Sequence, residues 1–232
     1  CILAQSNSYL KKIKISQKNY KKKLIYFPSW PEEIEKFHDT NIDKIFQNYE
    51  NYIKIVFTGN VGEAQGFEKV IDFCKKFKNL KFRIFVVGTG RWIEKIKKRV
   101  DDEKIDKLIF FGHKPKDKIY HYLDKADLLL ITLKKGEVFD ATIPGKFSTY
   151  LKFNKPIFGL IGGETKNLIN DNKLGLAIDD LNSEDAEGKI INFFKNFQKI
   201  DINNQVYIDT NFSKKNILSK LDEYFNSQKI RL

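Results

Sequence analysis

The sequence predicts an α/β fold: a Rossmann-like, doubly wound parallel sheet with helices on both faces. Three observations carry that expectation. Between Lys54 and Asp180, short apolar bursts alternate with stretches of helical periodicity. Most bursts run into a glycine or a polar turn. The interval between bursts holds about one helix, as repeated βαβ units require.

The elements follow in order. Residues 2–5 read as a strand end, with a helix to about Ile15, and residues 24–27 as a strand running into Pro28-Ser29-Trp30-Pro31. Residues 53–57 form a buried strand, then the glycine-punctuated loop Thr58-Gly59-Asn60-Val61-Gly62. Phe67, Val70, Ile71, Cys74 and Phe77 fall on one helical face. Residues 82–87 are the next strand, ending in Gly88-Thr89-Gly90, and Ile93, Ile96 and Val100 mark the helix after it. A short strand at 108–111 closes at Gly112; a helix covers 117–125 and an apolar strand 128–133. After an irregular loop, Pro144 is expected at the first helical position, where its missing N–H is harmless, ahead of Phe147, Tyr150 and Leu151. Residues 156–161 are a strand stopped by Gly162-Gly163, 164–170 a short helix and 174–178 a short strand. A last helix places Ile217, Leu221, Tyr224 and Phe225 on one face. Three regions are expected: 1–35, the end of a preceding domain plus an interdomain segment; 36–210, the Rossmann-like domain; and 211–232, a docking helix.

Composition narrows the partners. The chain has 232 residues, 41% of them hydrophobic, enough for one sizeable core and a small appendage. It contains no methionine and begins at Cys1, so a piece of a longer protein is expected. Two cysteines make no disulfide framework, which favours a reducing compartment, the cytoplasm. No apolar run approaches the ~18–20 residues of a membrane span. Any membrane contact is therefore expected to be peripheral, on the inner face. Lys and Arg number 42 against 30 Asp and Glu, a formal charge of +12, which suits nucleic acid, an anionic membrane or a phosphorylated ligand. The phenylalanines sit at core spacing rather than between basic residues, so no nucleic-acid stacking platform is expected.

In a doubly wound sheet, ligands bind beyond the carboxyl ends of the strands. The first of those loops offers Gly59, Asn60, Gly62 and Gln65, whose glycines would let backbone approach a phosphate. The second offers Gly88, Gly90 and Arg91, and the third His113 and Lys114. Pro144-Gly145-Lys146 places a lysine at a helix start, where its charge opposes the helix dipole unless an anion lies between. Glu137, Asp140 and Glu164 are the nearby carboxylates. The first loop is neither a P-loop nor a G-x-G-x-x-G turn, which weighs against a nicotinamide enzyme or an epimerase. No nucleophile elbow is present, and no His/Cys group has metal-ligand spacing, so neither a metal nor a cofactor is expected.

Taken in order, Gln5-Ser6, residues 27–33, residues 58–66, Val87-Gly88-Thr89-Gly90, Gly112, Ala126-Asp127, Ile143-Pro144-Gly145-Lys146, Lys155-Pro156, Gly162-Gly163-Glu164 and Gly175-Leu176 resemble family-four glycosyltransferases of the GT-B fold. The nearer likeness is to a bacterial surface-polysaccharide branch of N-acetylfucosaminyl-transferase-like proteins. The resemblance implies one half of a GT-B fold that binds a nucleotide-diphosphate sugar, usually with UDP or GDP. It implies transfer with retention, without a metal, to a saccharide or polyprenyl-linked acceptor. By the same analogy the Gly59–Gly66 loop lies beside the diphosphate, Gly88 and Gly90 border the nucleotide, the backbone near His113 reads the base, and residues 144–146 hold phosphate and ribose. The sequence departs from the family where an Arg and a Lys commonly clamp the diphosphate, showing Glu63 and Gln65 instead. Two family glutamates, eight positions apart, fall on Ala141 and Thr149. The alternative is a transferase-like module that binds but does not catalyse. A fragment lacking its partner domain is expected to bind donor weakly and transfer nothing.

Overall fold

The computed structural model describes all residues except 17–21, 35–37, 201–203 and 230–232. In chain order the elements are β1 (Ile2–Ala4), α1 (Asn7–Ser16), β2 (Leu24–Tyr26), α2 (Thr40–Gln47), β3 (Ile53–Thr58), α3 (Phe67–Lys76), β4 (Phe82–Val87), α4 (Ile93–Asp102) and β5 (Leu108–Gly112). Then come α5 (Lys116–Lys125), β6 (Leu128–Thr132), α6 (Glu137–Asp140), α7 (Lys146–Leu151), β7 (Ile157–Leu160), α8 (Gly163–Asp171), β8 (Gly175–Ile178), α9 (Ala186–Asn196), α10 (Asn204–Asn211) and α11 (Lys214–Lys229).

Six strands form one parallel sheet in the order β5-β4-β3-β6-β7-β8. This is the doubly wound arrangement, with strand order reversing between β3 and β6. Alternation along β3 feeds two cores. Ile55 and Phe57 join the residues of α3, α4 and α9 on one face, while Val56 joins those of α2, α5, α7 and α8 on the other. The phenylalanines are core, as their spacing implies: the ring of Phe73 lies 4.9–5.8 Å from those of Phe77, Phe82, Phe158 and Phe194. Full burial of each such side chain contributes about 1.5–3 kcal/mol.

Two local expectations are corrected. Helix α7 starts at Lys146, not at Pro144, because the Pro144 carbonyl accepts from Phe147 N in a turn of its own before the helix. The loop expected to be irregular contains the single helical turn α6, closed by Asp140 N donating to Gly136 O.

At the N-terminal end, β1 and β2 pair in a separate two-stranded parallel sheet. Helix α11 lies against this end. Ile217 is buried, Lys220 sits over the ring of Tyr26, and Lys214 sits over Trp30. Phe225, expected on the docking face, is 56% exposed. No helix among the described residues is long and apolar enough to cross a membrane.

Candidate functional site: the crevice where the strand order reverses

β3 and β6 stay in register only at Ile55–Leu128 and Val56–Leu129, then part. Val87 O accepts from Gly59 N on the β4 side, so the N–H and C=O of Thr58 face the widening gap. Buried backbone groups need partners, and α7 supplies both. Tyr150 OH accepts from Thr58 N at 2.9 Å, and Lys146 Nζ donates to Thr58 O at 2.6 Å. Lys146 and Tyr150 are four apart on one helix, which puts them on one face.

The Lys146 ammonium also lies 3.6 Å from the centre of the Phe57 ring. Burial of the group brings its pKa down from 10.5 to about 7, although the residue as a whole is only half-buried. Burial likewise pushes the Tyr150 phenol up to about 12. A Cβ built on Gly145 meets nothing within 4 Å, so the start of α7 is open. The crevice therefore offers a poised lysine beside an accessible helix start.

The Gly59–Gly66 loop is braced from two sides. Val61 N donates to Thr89 O and Trp92 N to Val61 O, tying it to the loop after β4. Lys134 N donates to Ala64 O, tying it to the end of β6. The side-chain oxygen of Gln65 accepts from Gly62 N at 3.0 Å and from Asn60 at 3.3 Å. Glu63 pairs with Lys134 at 2.7 Å, and that hydrogen bond holds its carboxyl below the usual range. Gly88 has φ +150°, and a Cβ there would stand 2.0 Å from Gly59 O. Loop-to-loop packing thus already requires a glycine at this position, independently of any phosphate.

The remaining candidates divide into two groups. Arg91, His113 and Lys114 line the β4–β5 side of the strand ends, with Arg91 and His113 exposed. Glu137, Asp140 and Glu164 lie under α1. Glu164 accepts from Asn7 N at 2.9 Å and Ser8 N at 2.6 Å, capping that helix with a charge its dipole favours. Glu137 pairs with Lys12 at 2.7 Å. Gly163, at φ +61°, packs so closely that a Cβ would meet Asp140 O at 1.9 Å. Together with α1 and α8, these residues border a cavity of about 570 Å³. Thr149, in α7, is half-buried beside Tyr150.

Sequence reasoning missed Thr58, Tyr150 and Lys134 in the crevice, and buried Ser6, whose hydroxyl donates to Ala141 O. It also found no metal-ligand spacing. The fold nevertheless gathers His38, Asp43 and His121, with ligand atoms within 4.8 Å of one another. His121 comes from a different helix, which linear spacing does not reveal.

Fold and crevice define a doubly wound domain with a buried lysine at the point where its strand order reverses. The chain belongs to the glycosyl transferases group 1 family, whose model matches residues 38–209. It is 27% identical over 162 residues to the probable glycosyltransferase WbjE of Pseudomonas aeruginosa, covering 68% of this chain and 40% of that protein. It is 28% identical over 134 residues to the putative colanic acid biosynthesis glycosyl transferase WcaI of Escherichia coli K12, covering 55% of this chain and 32% of that one. The chain thus spans well under half the length of either relative. In fold it resembles the Anabaena protein HepE in complex with UDP-glucose (TM-score 0.73, 17% identity, 97% of this chain and 63% of that one). It also resembles a sucrose-phosphate synthase from Thermosynechococcus elongatus (TM-score 0.71, 13% identity, 100% of this chain and 59% of that one). These neighbours establish a GT-B-type α/β domain.

Proposed function

We propose that this chain is the donor-binding half of a retaining glycosyltransferase. It takes a nucleotide-diphosphate sugar, with UDP the first candidate, and passes the sugar to a lipid-linked or oligosaccharide acceptor in bacterial surface-polysaccharide synthesis, such as capsule or lipopolysaccharide. The observation that carries the reading is Lys146: its ammonium crosses from α7 to the end of β3 and sits at the point where the strand order reverses. The names of the two curated relatives and the UDP-glucose complex of HepE support the same chemistry.

In this scheme the diphosphate lies over the open start of α7, with Lys146 supplying the cation that the first loop lacks. The Gly88–Gly90 and His113–Lys114 side takes the nucleoside, and the sugar points toward Asp140. Departure of the nucleoside diphosphate is assisted by fixed charge and by positioning, without a metal. Acceptor recognition belongs to a second domain, so the chain alone binds donor and does not transfer. The N-acetylfucosaminyl-transferase-like branch is the finer assignment. A cytoplasmic location, with peripheral contact at the inner membrane face, is part of the same reading; the lysine excess is compatible with it, each lysine near an anionic surface being worth about 1 kcal/mol.

Calorimetric titration with UDP, GDP, UDP-N-acetylhexosamines and NAD tests this reading. One nucleoside diphosphate and its sugar conjugates should bind, and Lys146→Ala should weaken that binding far more than Lys116→Ala, since Lys116 pairs with Glu32. Binding of NAD alone, or equal losses in the two variants, would overturn it.

A further inference from the structure

We propose that His38, Asp43 and His121 form a binding site for a divalent transition-metal ion, separate from the crevice. His38 stands just before α2, Asp43 lies in its first turn and His121 lies in α5. His121 Nε2 is 3.0 Å from Asp43 Oδ1, and His38 Nε2 is 3.4 Å from Asp43 Oδ2. Metal–ligand bonds of 2.0–2.2 Å at tetrahedral angles place ligand atoms about 3.3 Å apart. Each imidazole lies within a few tenths of an ångström of that spacing from one Asp43 oxygen, His121 from Oδ1 and His38 from Oδ2. A small turn of the carboxylate, or its binding through both oxygens, completes the set; the three ligand atoms lie within 4.8 Å of one another. The remaining separation, between the imidazoles, closes by rotation of His38, whose side chain is 70% exposed. His121, by contrast, is buried and held in place.

The ligand chemistry selects the ion. Two imidazoles and one carboxylate suit Zn²⁺, Ni²⁺, Co²⁺ or Cu²⁺, whereas Mg²⁺ and Ca²⁺ call for all-oxygen sets. Solvent fills the remaining positions on the exposed side. One local cation competes: Lys125 Nζ lies 2.8 Å from Asp43 Oδ1. An arriving ion takes over that carboxylate, and the partly exposed lysine turns to water. The neighbouring pair, Lys118 with Asp39, is left intact. The bound ion ties α2 to α5, the helix that follows the His113–Lys114 loop.

The test uses the full, tag-free chain in a Cys1→Ser background, because an N-terminal thiol beside the α-amine is itself a chelator and Cys1 is exposed. Titration with Ni²⁺ and with Zn²⁺ against a chromophoric chelator should show one ion per chain, with Mg²⁺ failing to compete. His38→Ala, at an exposed position that leaves the fold intact, should weaken affinity at least tenfold, since losing even an outer-shell partner costs ten- to a hundredfold. Lys125→Gln should tighten binding several-fold, a response that a purely structural ion-pair cluster would not give. Absence of stoichiometric binding, or affinities unchanged in both variants, would overturn the proposal.

Discussion

If Lys146 receives a diphosphate, binding must take up a proton. Its ammonium is held near pKa 7 by burial, so at pH 8 only about a tenth of the unliganded chain carries the charge. A ligand charge about 4 Å away contributes roughly 4 kcal/mol at an effective dielectric constant of 20, which is about three pKa units. The liganded lysine then titrates near pH 10. UDP binding at pH 8 should therefore absorb about 0.9 proton, and affinity should fall about tenfold per unit from pH 7 upward. Below pH 7 the dependence flattens and the phosphate's own titration, near 6, takes over. Calorimetry in two buffers of different ionisation enthalpy measures the uptake directly. Lys146→Met should abolish it and weaken binding by about 3 kcal/mol, on the order of a hundredfold. The unliganded chain should become more stable as pH rises from about 7 toward 10, because there the unfolded chain binds the proton that the folded chain refuses. A wild-type chain that binds UDP without proton uptake, with Lys146→Met within threefold of it, would show that the lysine only satisfies Thr58 O.

The glycines separate packing from binding: Gly88→Ala should destabilise by about 3 kcal/mol or more, from clash and an unfavourable φ. Gly145→Ala, at a helical φ of −55° in open space, should leave the melting temperature within about 2 °C while weakening UDP, as calorimetry and thermal melts will show. Tyr150→Phe leaves the N–H of Thr58 unpaired, an expected loss of about 1–3 kcal/mol in urea unfolding. Glu164→Gln removes the charged cap of α1, about 0.5–2 kcal/mol, and should speed amide exchange in residues 7–11 while sparing the six-stranded sheet.

The fold was legible because its strands are buried on both faces and read as apolar runs, while α3 and α4 keep one apolar stripe each. What sequence could not supply was the local competition at helix starts. Pro144 looked like a first helical residue on propensity alone, yet its carbonyl serves an earlier turn. The one-turn α6 is too short to leave a periodic signal. Helices α2, α9 and α10 were not foreseen: α2 carries a legible signal, an Asp39 cap with Ile42 and Phe46 on its buried face, whereas α10 buries only Asn204 and Ile208 and has almost no apolar stripe to read.

The candidate residues could be picked out from sequence, but the contacts each one makes could not. Gly88 was expected to border a nucleotide; its missing Cβ is already required by Gly59 O. Glu164 was one of three carboxylates expected near the site; in the structure it caps α1. Lys146 was expected to project from a helix start toward an anion, and instead its side chain runs inward to a strand-end carbonyl. On the proposed reading, that inward path would take the place of the cations the first loop lacks. A lysine at position 65 would have projected from the loop itself, where Gln65 now accepts from Gly62 N and Asn60. The loop is braced by those hydrogen bonds and by the Glu63–Lys134 ion pair, with no cation of its own pointing into the crevice. The arrangement places a buried, readily deprotonated amine where a diphosphate would restore its proton, which makes proton uptake at pH 8 the property that most directly separates a donor site from a structural bracket.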